Sequence, residues 1–348
     1  MPRRRLVVPL LLAGLLIGAT GPAWGRGPIE ADGSFTALTY NVAGLPEQLS
    51  GSEPATNSPL ISPLLNRYDL VLLQEDWVDV LAQHGARPAA AEAVPRTGYH
   101  DLVVGQARHP FRSEPMGSPP PLTNVVARAV QASGPTLSGD GLNHLSDFRF
   151  GVVRRVMWER CHGELHVTAV EALAEEAGID DPTGEDLDGG SADCGAQKGF
   201  SVTTLELAPG VLVDLYNLHA DAGGHPNDVA TRQANFAQLA TYVEQHSRGR
   251  AVILGGDTNL RTGPGARDDA TWSTFLSTTG LRDVCAVVAC GADAGEIDKF
   301  AFRSAGAAKL EPQSHRFERD VFVRASDETP LSDHDALAVT FRWSRGNR

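Results

Sequence analysis

Leu331-Ser332-Asp333-His334-Asp335-Ala336-Leu337 sets a Ser-Asp-His triplet at the entry to an apolar run, Ala336 to Trp343, that reads as a strand. Three other polar groups also stand at the ends of apolar runs: Thr39-Tyr40-Asn41, Leu73-Gln74-Glu75 and Gly255-Gly256-Asp257-Thr258-Asn259. Each alone is weak. An Asn after a strand is commonly a turn residue, a Glu there is ordinarily a solvated end, and Asp257 would serve equally to cap its own loop. Together they supply a carboxylate, an amide, a carboxylate–amide pair and an Asp–His pair. Those are the parts needed to hold a hard divalent cation and activate water against a phosphate ester.

Working outward, strands are expected at Phe35–Val42, Asp69–Gln74, Phe148–Trp158, Ser201–Leu207, Val211–His219, Ala251–Gly255 and Arg319–Val323. Pro209-Gly210 reads as the hairpin turn between two of them. Helices are expected at Leu60–Arg67, at Thr271–Thr279 and from Asn227 onward, where Val229, Phe236, Leu239, Ala240 and Val243 recur at helical spacing behind a cap at Asn227 or Asp228. Arg108–Pro121 and the acidic, Gly-rich Asp180–Gly195 read as irregular. Strands with interspersed helices and hairpins argue for a mixed α/β sandwich in one domain.

Arg3-Arg4-Arg5, the apolar run Leu6–Ile17 and Ala23-Trp24-Gly25 have the order of a secretory signal peptide, so 1–25 is read as a leader and 26–348 as the folded domain. The apolar run is shorter than the roughly 20 residues a membrane span needs. The formal net charge of -13 repels polyanions, and no Lys/Arg stripe offers a nucleic acid a groove. Four cysteines in an exported chain favour disulfides, with Cys161–Cys194 and Cys285–Cys290 as the neighbouring pairs; a zinc site is the rival reading.

Thr-Tyr-Asn, Leu-Gln-Glu, Asn-Leu-His, Gly-Asp-x-Asn and Ser-Asp-His occur in that order, each at the polar end of an expected strand. The set Asn41, Glu75, His219, Asp257, Asn259, Asp333 and His334 resembles the endonuclease/exonuclease/phosphatase superfamily, the DNase I-like enzymes. The resemblance implies a four-layered α/β sandwich, two packed mixed β-sheets flanked by helices. It also implies a metal site of Glu75, Asn41 and Asp333 for one or two Mg²⁺ ions, with Mn²⁺ or Ca²⁺ as substitutes. His334 is then the general base, oriented by Asp320; Asp257 and Asn259 position the water, and His219 contacts the phosphoryl oxygens. Asp283 matches a further family position, and a structural role at the exit of a helix fits it equally.

Cys194-Gly195-Ala196-Gln197-Lys198-Gly199-Phe200 is similar to a segment of bacterial neutral sphingomyelinases, and Asn217-Leu218-His219-Ala220-Asp221 to their histidine turn. That branch implies a secreted phospholipase C-type phosphodiesterase acting on a phospholipid headgroup at a membrane surface. The double-aromatic hairpin with which those enzymes hold membranes is not found; Phe111–Leu122, with Met116 among prolines, is the candidate in its place. The alternatives are an exported DNase I-like nuclease, for which nucleic acid is the partner, and an inactive binding module of the same fold.

Overall fold

The computed structural model describes residues 32–47, 50–79, 96–117, 139–162, 193, 196–306 and 308–346. The expected leader and Cys194 lie outside them. Two mixed sheets form the centre. The first carries β1 (Asp32–Asn41), β2 (Leu70–Gln74), β3 (Phe111–Arg112), β4 (Asn143–Ser146), β12 (Ala308–Phe317) and β13 (Leu337–Arg345) in the order β12-β13-β1-β2-β4-β3. The second contains β5 (Arg149–Phe150), β6 (Arg154–Met157), β7 (Gly199–Ala208), β8 (Val211–His219), β9 (Ala251–Asp257), β10 (Arg282–Asp283) and β11 (Asp298–Arg303). Its order is β10-β11-β9-β8-β7-β5, with β6 also on β7. Within these ladders, β1–β2 and β8–β9 are parallel.

Side-chain alternation along each strand explains the layering. Phe35, Leu72, Leu215, Ile253, Phe300 and Phe341 come from both sheets and fill the space between them. The alternate residues of the second sheet, such as Tyr216, Leu218 and Leu254, pack with Phe236, Leu239, Trp272 and Phe275 of two helices, α3 (Pro226–His246) and α4 (Asp269–Thr279). On the first sheet, Leu38, Tyr40, Val71 and Leu73 pack against Ile61 of α1 (Pro54–Leu64) and Val103 of α2 (His100–Val103). Helix, sheet, sheet and helix make the four layers that the resemblance implies.

Helix α3 starts a residue earlier than Asn227. His225 Nδ1 accepts the Asn227 N–H at 3.2 Å and the Asp228 carboxylate accepts the His225 N–H at 2.8 Å, a reciprocal cap ahead of Pro226. The expected strand at Phe148–Trp158 is broken into β5 and β6, and Val152 between them is 88% exposed. Arg319–Val323 is a turn, not a strand: the Val321 and Phe322 N–H groups fold back onto the Glu318 carbonyl. Val321 and Phe322 serve packing, with the Phe322 ring 4.7 Å from that of Tyr40.

The Cys285–Cys290 disulfide forms as expected. No cysteine is free among the described residues. No helix among them is long and apolar enough to cross a membrane. Of the proposed membrane loop, Phe111 and Arg112 form β3 and Met116 is half-buried; residues 118–122 lie outside the description.

Candidate active site

Strand ends build the site. Asn41 ends β1, Glu75 follows β2, His219 ends β8, and Asp257 ends β9 directly beside His219 in register. Asp298 begins β11 opposite Asp257 in the antiparallel ladder, and His334 stands in the loop before β13. Ser332 ties that loop down: its hydroxyl donates to the Asn41 carbonyl at 2.7 Å and accepts the His334 N–H at 3.2 Å.

Asn41 and Asp257 are the centre of the cluster. The Asn41 Oδ1 accepts the Ala43 N–H at 3.0 Å, which turns its amide nitrogen into the cleft. Nδ2 donates to Glu75 Oε1 and to Asp257 Oδ2, both at 3.1 Å, and lies 3.4 Å from His334 Nε2. Asp257 Oδ2 is also 3.3 Å from His219 Nε2 and 3.6 Å from His334 Nε2. Burial alone would raise the Asp257 pKa; the neighbouring His334 and His219 outweigh it and hold the carboxylate below its usual range.

His334 Nδ1 lies 2.8 Å from Asp298 Oδ2. This corrects the assignment of Asp320. Asp320 is exposed on the turn after β12, where no described contact joins it to His334, whereas β11 aims Asp298 between the sheets on the same face as Phe300. Burial raises the Asp298 carboxyl to about 6, against the lowering effect of His334. Burial would lower the His334 pKa, yet Asp298 and then Asp257 push it up to about 11. A proton is thus held on the imidazole between two carboxylates.

Glu75 occupies a left-handed backbone conformation, φ 54°, uncommon for a residue other than glycine. Its carbonyl accepts the Gly44 N–H at 3.1 Å. A side chain at Gly44 would put its Cβ 2.3 Å from that oxygen, so only glycine fits. The carboxylate opens into the cleft, with Oε1 3.9 Å from His219 Nε2. The His219 ring is buried and its Nδ1 has no hydrogen-bond partner among the described residues.

Two expected residues sit at the margin. Asp333 is exposed, its Oδ1 3.3 Å from the Ser332 hydroxyl; no described hydrogen bond joins its side chain to the Asn41–Asp257 cluster, although its charge acts on His334. Asn259 presents its backbone N–H to Asp257 Oδ1 at 3.0 Å, while its side-chain amide braces the Ala220 carbonyl at 3.0 Å. Asp283 is structural: it accepts from Trp272 Nε1 at 2.6 Å and from the Cys285 N–H at 2.7 Å.

Lys198 adds a cation. Its ammonium is buried and paired with Asp193. Burial would lower its pKa, but Asp193, Glu75 and Asp257 raise it, so a fixed positive charge lies within reach of the site. Beside this pair, burial and then Asp193 push Asp221 up to about 8. Asp298 was missed in the sequence because Glu296-Ile297-Asp298-Lys299 looks like a solvated charged stretch; the Phe300-Ala301-Phe302 alternation behind it was the available signal.

No protein-family model matches the chain. The chain is 29% identical over 330 residues to proteins named sphingomyelinase from Mycobacterium tuberculosis and Mycobacterium bovis. That match covers 90% of this chain and 54% of theirs, so the chain spans about half the length of these relatives. Among solved structures, beta toxin from Staphylococcus aureus superposes with a TM-score of 0.51 at 13% identity, covering 88% of this chain and 99% of that one. A beta toxin mutant with bound magnesium ions gives 0.52 at 13%, with the same coverage. Sphingomyelinase C from Streptomyces griseocarneus gives 0.50 at 17%, again over 88% and 99%. The fold is therefore the DNase I-like sandwich that bacterial sphingomyelinases share.

Proposed function

We propose that this chain is a divalent-metal-dependent phosphodiesterase that hydrolyses a phospholipid headgroup bond in the manner of a sphingomyelinase, outside the cell. The observation that carries this reading is the convergence of Asn41, Glu75, His219, Asp257 and His334 at one set of strand ends. The similarity to mycobacterial sphingomyelinases supports the substrate class.

The donor set fits a hard cation such as Mg²⁺. Glu75 offers a carboxylate with only Oε1 engaged by a described hydrogen bond, from Asn41, and hard divalent ions prefer such oxygens together with water. Glu75 would hold the ion, with Asp257 adjoining. Asn41 meets the cluster through its amide nitrogen, so its role is to space the two carboxylates. A bound cation supplies positive charge, which offsets charge on the leaving oxygen and opposes the carboxylates' hold on the His334 proton.

The remaining work belongs to the chain. With Nδ1–H donated to Asp298, the neutral His334 ring presents Nε2 to the cleft and takes a proton from the attacking water. His219 donates Nε2–H toward negative charge, to Asp257 at rest and to a phosphoryl oxygen in the transition state. Lys198 adds fixed positive potential without leaving its partner Asp193.

The test is release of a water-soluble phosphorylated headgroup from sphingomyelin and phosphatidylcholine liposomes, with His334→Ala as the control. The reading predicts release that needs Mg²⁺ and falls by about 10²–10⁴-fold in the variant. Nicking of plasmid DNA with intact lipids would assign the chain to the nucleases instead.

A further inference from the structure

The space between the sheets is apolar along most of its length, but behind the site polar side chains, three of them linked to one another, replace the hydrophobic ones. Thr39, Gln74 and Asn217 are each fully buried. Gln74 Nε2 donates to Asn217 Oδ1 at 2.6 Å and to Thr39 Oγ1 at 3.0 Å. Asn217 Nδ2 returns across the gap to the carbonyls of Leu73 at 2.9 Å and Asn143 at 3.2 Å. A buried polar group left unpaired costs roughly 1–3 kcal/mol, so these bonds favour a single alignment of the two sheets.

Each of the three lies just behind a site residue. Thr39 precedes Asn41 by two positions and Asn217 precedes His219 by two, so each shares a strand face with the group it precedes. Glu75 differs. The alternation of β2 would send its side chain to the outer face with Val71 and Leu73. The left-handed turn at Glu75 breaks the strand instead and brings the carboxylate to Asn41 Nδ2. Such a turn persists only where neighbours hold it. Gly44 holds its carbonyl on one side, and the anchored Gln74 precedes it on the other.

We propose that Gln74 and Asn217 are a positioning pair, which joins the sheets so that the Glu75 carboxylate is delivered opposite His219 and thereby sets divalent-ion affinity and turnover. The proposal rests on the metal-assisted reading above. A leucine pair of similar volume would fill the same space without directing the strand ends.

The experiment compares wild type with Gln74→Leu, Asn217→Leu and the double variant. It measures Tm, Mn²⁺ affinity by electron paramagnetic resonance, and headgroup release. Each single substitution leaves a polar partner unpaired and lowers Tm. The double removes the Gln74–Asn217 mismatch and regains part of that Tm. Its Mn²⁺ affinity and kcat nevertheless remain about 10- to 100-fold below wild type, with KM for liposomes little changed. Variants that lose Tm yet bind Mn²⁺ and turn over like wild type overturn the positioning role alone. A wild-type protein that binds no Mn²⁺ overturns both the pair's role and the metal-assisted reading.

Discussion

Asp298→Asn separates the geometry of this site from the assignment made on sequence alone. The wild-type carboxylate is 5% exposed, faces Asp257 across the ladder and sits 2.8 Å from His334 Nδ1. Asparagine keeps the volume but removes the charge, and it can present an N–H to Nδ1. The imidazole then carries its proton on Nε2, facing the cleft, and a ring in that form takes no proton from water. Loss of a general base costs about 10²–10⁴-fold, or about 2.7–5.5 kcal/mol of barrier. The assay is headgroup release from Mg²⁺-supplemented liposomes, with kcat and KM resolved and folding checked by Tm. A fall in kcat of that size with little change in KM is expected. Asp320→Asn, on an exposed turn, should leave turnover unchanged. If Asp298→Asn works at the wild-type rate, or Asp320→Asn fails as badly, the orienting role is wrong.

Other outcomes follow from the same geometry. Glu75→Gln removes the charge of the open carboxylate and should move the Mg²⁺ titration of activity to higher concentration; an unchanged titration would take Glu75 away from the ion. Asp221 is raised from 3.8 to about 8, so the folded state binds a proton that the unfolded chain has released across that range. Its contribution to stability is full below about pH 4 and is lost as pH rises to about 8. Asp221→Asn should flatten the fall of Tm across that window, and an identical slope in both proteins would show that the group titrates normally.

Much of this was legible in the sequence because strand ends carry both pattern and chemistry. The runs before Asn41, Glu75, His219 and Asp257 are predominantly apolar strands, so their polar terminal residues stood out. Strand β12 was missed because Glu311, Pro312 and Gln313 interrupt it, and a register shift between Pro312 and Ser314 accommodates them. A strand was expected instead at Arg319–Val323, and the resemblance assigned Asp320 as the partner of His334. Sequence also could not show that Ala43 would claim the Asn41 oxygen and turn its nitrogen into the cleft. Such choices are made by tertiary hydrogen bonds, which leave no periodic trace.

Anomalous diffraction from a crystal soaked in Mn²⁺ tests the convergence itself. The strongest peak should lie against the Glu75 carboxylate, within the space bounded by Asn41, Asp257 and His219, and it should vanish in Glu75→Gln. A dominant ion elsewhere, with nothing at Glu75, would contradict the account.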